Sequence, residues 1–176
     1  MRRKPVVLIA ALLGIEGLLK AWAVANLSPG VGRALLPGLL HLGFTLNPGM
    51  AWGLLGGLTA PLAALRLLVG LVIVAALLSG RVRLGWGWPL ALIAAGALGN
   101  ALDGLMRGAV VDYLTSPLLD SLTRPLTGET FPIFNLSDVL VFSGAAGLLL
   151  HAGWTERRAG RPTPDRRGPS QTKENP

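Results

Sequence analysis

Four apolar runs set the pattern of this chain, separated by stretches where proline, glycine and charge collect. They run from Pro5 to Leu27, from Pro61 to Gly80, from Trp86 to Met106 and from Asp138 to about Trp154. At about 1.5 Å of rise per residue, runs of this length predict helices that cross a bilayer. The first could be taken for a cleaved leader, since Arg2, Arg3 and Lys4 precede it. It is too long for one, holds Glu16 and Lys20, and lacks a small-residue cleavage site, so it reads as a retained span.

The stretches between the runs predict less regular structure. From Ser28 to Ala60, prolines and glycines break any helix, and HLGFTLNPGMAWG alternates in part, so short strands with tight turns are predicted on the outer face. The connection from Tyr113 to Phe134 contains Pro117, Pro125, Gly128 and Pro132 and is read as a long loop, a lid or disordered segment. The Arg-, Pro- and Gly-rich residues 155–176 are read as a disordered tail, leaving 1–154 as one membrane-embedded domain.

Composition agrees with the bilayer: 51% of residues are hydrophobic, 14% are charged, 24 are glycine, and mean hydropathy is +0.55. The net charge of +7 raises nucleic acid as a partner, but the basic residues form no aromatic-interleaved patch. Arg2, Arg3 and Lys4, then Arg81 and Arg83, then Arg157 and the tail instead flank the apolar runs. That is the distribution that holds loops in the cytoplasm. Both termini are therefore expected there, in a multi-pass membrane protein. The absence of cysteine excludes thiol nucleophiles, disulfides and thiolate metal sites.

Ionisable residues inside apolar runs carry the candidate chemistry. Glu16 and Lys20 stand four apart and can pair on one helix face, as a structural ion pair or as part of a site. Asn100, Asp103 and Arg107 form a polar stripe near the outer end of the third span, either a bundle-stabilising network or a catalytic one. Asn135 and Asp138 have the spacing of a helix cap and its third residue, which explains Asp138 alone. It does not explain Asp112, placed on the same side of the membrane just past the neighbouring span. Two such carboxylates suit acid/base activation of a water, one ionised and one protonated. His41 and His151 fall on opposite sides by this topology, which argues against a histidine triad or a histidine-ligated metal.

Together these motifs resemble the bacterial lipoprotein signal peptidase, or signal peptidase II, family. The resemblance covers the acid and lysine at Glu16 and Lys20, and Asn47, Gly49, Ala51, Trp52 and Gly53. It continues through Gly96, Gly99, Asn100, Asp103, Gly108, Val110, Asp112 and Tyr113, and ends at Phe134, Asn135 and Asp138. It implies an all-α membrane protein, four transmembrane helices with a small extracytoplasmic β-like cradle. It implies an aspartic endopeptidase that cuts diacylglyceryl-modified prolipoproteins before the lipidated cysteine, with Asp112 and Asp138 as the catalytic dyad. Asn47, Gly49, Gly96, Asn100, Asp103, Gly108 and Asn135 would shape the site or touch substrate. No cofactor is implied. Lipoprotein substrates and membrane lipids are the expected partners, a monomer is expected, and the resemblance implies the bacterial cytoplasmic (inner) membrane, with the active site at its extracytoplasmic face.

The chain departs from the family pattern at Gly104, where Arg follows the aspartate, at Glu16, where Asp is usual, and at Ser137, where a small apolar residue is usual. The connection from Asp112 to Asp138 is also longer than is common. A membrane-embedded binding or transport protein, with Asn100 and Asp103 lining a pathway, is the competing reading. It needs polar residues toward the cytoplasm, and Trp86 to Ala95 supplies none. A non-catalytic scaffold leaves the paired acids unexplained.

Overall fold

The structure, a computed structural model, describes residues 3–30, 32–49, 57–83 and 85–159. Its elements are α1 (Lys4–Asn26), β1 (Arg33–Leu36), β2 (Leu40–Asn47), α2 (Thr59–Ser79), α3 (Gly87–Arg107), β3 (Val110–Thr115), α4 (Pro117–Thr127) and α5 (Leu136–Ala159). Among the described residues, α1, α2, α3 and α5 are long and apolar enough to cross a membrane. These are the four predicted spans, with shifted ends.

The third span is the centre of the bundle. Buried residues make up 61% of the apolar window of α3 and no more than 22% in any other span. Its sequence explains this, because Ala91, Ala94, Ala95, Gly96, Gly99, Ala101 and Gly104 let neighbouring backbones approach. Gly70 of α2 lies against Leu98, and Gly104 against Ala63 of α2. Gly96 lies under the Ser137 carbonyl of α5. Large apolar residues such as Leu18, Leu68, Phe142 and Leu149 point outward, where lipid solvates them as well as a protein core would.

A three-stranded antiparallel sheet, in the order β1-β2-β3, sits on the end of the bundle where α3 stops. Gly108 ends α3 in the left-handed region, at φ 69°, and turns the chain into β3. Register pairs Thr45 with Asp112 and Asn47 with Val110. Phe134 then bonds back to β3, its carbonyl accepting from the Tyr113 and Leu114 amides at 3.0 and 2.7 Å.

The stretch read as a long loop is not one. It holds the end of β3 and the whole of α4. Ser116 caps α4, accepting from the Leu119 amide at 3.3 Å, and Pro117 occupies the first turn. There proline is compatible with a helix because its missing N–H has no intrahelical partner. Asp120 accepts from the Phe131 amide at 2.8 Å and draws the return segment onto α4. The sheet also has a third strand that the alternation in 28–60 did not reveal. At the other end, α5 continues past Trp154 to Ala159. The remainder of the tail read as disordered, and the motif residues Ala51, Trp52 and Gly53, lie outside the described residues.

Candidate active site

Asp112 and Asp138 reach one cavity from different elements. Asp112 is in the middle of β3 and only 2% exposed. Asp138 is the third residue of α5 and stands open to the cavity. The start of α5 is held by reciprocal capping: the Asn135 amide donates to Asp138 Oδ2 at 3.1 Å, and the Asp138 amide to Asn135 Oδ1 at 3.0 Å.

Side-chain amides supply the remaining donors. Asn135 Nδ2 donates to Asp112 Oδ1 at 2.6 Å and to Asn100 Oδ1 at 3.0 Å. Asn47 Nδ2 donates to Asp112 Oδ2 at 3.0 Å, and Asn100 Nδ2 to Asp138 Oδ1 at 2.8 Å. Burial dominates the electrostatics of Asp112, which is pushed from an ordinary 3.8 up to about 7. The Asn47 and Asn135 hydrogen bonds pull it down, and the nearby Asp138 charge pushes it further up. A carboxyl so placed exchanges a proton near neutral pH.

Behind the cavity lies a buried charged hub. Lys20 reaches Asp103 Oδ2 at 2.9 Å, Asn100 Oδ1 at 2.9 Å and Glu16 Oε1 at 3.4 Å. Glu16 accepts from the Ser137 amide at 3.2 Å, from Ser137 Oγ at 3.1 Å and from the Tyr113 hydroxyl at 2.7 Å. Asp103 also accepts from the Val111 amide at 3.0 Å and pairs with Arg107 at 3.3 Å. Burial first, and then the Glu16 charge, push the Tyr113 phenol upward, so it remains a donor.

Of the residues singled out in the sequence, Asn47, Asn100, Asp112 and Asp138 line the cavity, which has a volume of about 270 Å³. Asp103 and Asn135 are buried behind it in the network. Gly49 donates its amide to Asn47 Oδ1 at 3.0 Å, which orients that side chain. Gly96 is a helix contact and Gly108 a helix stop. The Glu16–Lys20 pair is present, but Lys20 lies closer to Asp103 and Asn100.

Sequence reasoning assigned no role to several participants. Tyr113 and Ser137, each beside an aspartate, bond to Glu16. Phe131, Pro132, Ile133 and Phe134 form an apolar part of the cavity wall. Arg66, within the apolar run from Pro61 to Gly80, also lines the cavity. A lone arginine within an apolar helix was the available signal.

A multi-pass bundle that presents two amide-held carboxylates at one end defines a membrane protein equipped for acid/base hydrolysis. Comparison with known proteins makes the class specific. A signal peptidase (SPase) II family model matches residues 8–154. A lipoprotein signal peptidase of Deinococcus radiodurans is 40% identical over 164 residues, 92% of this chain and 85% of its own. One from Gloeobacter violaceus is 35% identical over 173 residues, 94% of this chain and 91% of its own. A solved structure described as a bacterial membrane enzyme shares the fold, with a TM-score of 0.74 at 21% identity over 91% of this chain and 93% of that one. The chain belongs to the signal peptidase II family, an aspartic peptidase family that removes signal peptides from prolipoproteins.

Proposed function

We propose that Asp112 and Asp138 are the catalytic pair of this peptidase, which cleaves diacylglyceryl-modified prolipoproteins on the amino side of the lipidated cysteine. The observation that carries this reading is the convergence of both carboxylates on one cavity, each held by side-chain amides. The dyad acts as a unit that shares one proton near neutral pH. The ionised carboxylate takes a proton from water, whose oxygen adds to the scissile carbonyl carbon. The protonated carboxyl gives its proton to the carbonyl oxygen. Collapse of the tetrahedral species breaks the C–N bond, and the proton taken from water leaves on the amine. Asn47 and Asn100 touch the substrate, while Gly49, Gly96, Asp103, Gly108 and Asn135 shape the site around it.

In this reading the sheet and cavity face the extracytoplasmic side, and both termini are cytoplasmic. The enzyme works as a monomer. Its lipidated substrate enters laterally from the bilayer, so a dyad where bundle meets sheet reaches the scissile bond together with water. The buried alanines at 91, 94 and 95 make that half of the central helix α3 apolar, which disfavours a transport pathway along it.

The test is cleavage of a diacylglyceryl-modified prolipoprotein by purified protein in detergent. Wild type should cleave it, and Asp112→Asn and Asp138→Asn should each lose at least about 1000-fold in kcat while still binding, since removing one member of a catalytic unit disables the whole. Substantial activity in either folded variant would overturn the assignment of the pair.

A further inference from the structure

Arg66 differs from the other charges near the cavity. Glu16, Lys20, Asp103 and Arg107 are all engaged in ion pairs with one another, and both aspartates accept from side-chain amides. Arg66 makes no hydrogen bond or ion pair among the described residues, is half-buried, and lines the cavity. Its depth follows from helix packing. The antiparallel contacts of Gly70 with Leu98 and of Ala63 with Gly104 bring Arg66 level with the turn of α3 that carries Asn100 and Asp103. This is two turns into α2, about 10 Å along its axis. The absence of a side chain at Gly104 is what lets α2 come so close, since a Cβ there would stand 2.7 Å from Ala63 Cβ.

A guanidinium is always charged, presents five donors, and is costly at this depth without acceptors. An anionic ligand is a poor candidate for supplying them. The dyad carries negative charge at the same cavity, where Asp138 and Arg66 are both lining residues. Neutral carbonyl oxygens meet no such repulsion.

We propose that Arg66 is a specificity-determining residue whose guanidinium donates hydrogen bonds to carbonyl oxygens of the substrate segment in the cavity. The inference rests on the peptidase reading above and adds a substrate contact to it. Such carbonyls have two sources in a diacylglyceryl lipopeptide, the peptide backbone and the acyl esters.

The experiment compares wild type, Arg66→Gln and Arg66→Lys in detergent, on a lipopeptide with ester-linked chains and on its ether-linked analogue. Arg66→Gln should lose roughly 10- to 100-fold in kcat/KM, mainly through KM, the size expected for lost hydrogen bonds from a charged donor. Arg66→Lys should fall between, because an ammonium donates without the planar fork. An equal loss on both substrates places the contact on the peptide, and a loss confined to the ester substrate places it on the lipid. Binding of a fluorescent lipopeptide is measured in parallel on Asp112→Asn and on Asp112→Asn/Arg66→Gln. Equal kcat/KM or equal binding, in variants that elute and melt like their parents, overturns the proposal. If wild type cleaves nothing, the peptidase reading fails, and the binding pair still decides the role of Arg66.

Discussion

Asn100 is held so that its amide has only one orientation. Its oxygen accepts from Lys20 and from Asn135, so its nitrogen must face Asp138. Glu16 acts on both aspartates through their chain neighbours, holding Tyr113 beside Asp112 and Ser137 beside Asp138. The serine at 137 is thus part of the same arrangement as the glutamate at 16. Asp112 has a consequence for stability. The folded state holds its proton more tightly than the unfolded chain, with about 7 against 3.8. Its contribution is therefore full below about pH 4, declines as pH rises, and is gone by about 7, a span of roughly 4 kcal/mol. Thermal melts in detergent should show wild type losing more stability across that window than Asp112→Asn. Parallel curves would contradict the shift.

At the scale of elements, small residues set the geometry. A Cβ on Gly96 would collide with the Ser137 carbonyl and stand 2.8 Å from Val141 Cγ2, so α5 would have to move and carry Asp138 with it. Gly96→Ala should cost about 1–3 kcal/mol of stability, the usual range for overpacking, and lower kcat/KM more than 10-fold. Gly17→Ala on α1 meets nothing within 4 Å and should be neutral or slightly stabilising. If Gly96→Ala behaved like Gly17→Ala, the close α3–α5 approach would not be what positions Asp138. Gly96 and Gly99 were legible as points of close approach because that rule is local. The helix α4 was not, because a proline reads as a breaker until its place in the first turn behind a serine cap is known.

At the scale of the molecule, the bundle supplies depth in the bilayer and the sheet supplies one wall of the site. The proposed orientation has a direct test, since a chain without cysteine is a clean background for single substitutions. In spheroplasts, Glu129→Cys after α4 should react with an impermeant maleimide. Arg81→Cys, between α2 and α3, should react only after permeabilisation. The opposite pattern would invert the topology. Hydropathy was enough to reveal four spans because a bilayer imposes a length and an apolarity that any single segment must meet by itself. The motifs around Asp112 and Asp138 were likewise visible in the chain. Tertiary structure alone decided that Glu16 clamps Ser137 across 121 residues, that Lys20 bonds Asn100 across 80, and that Arg66 faces the cavity. Such contacts depend on which helix faces meet, and that follows from packing over the whole bundle and not from any local pattern.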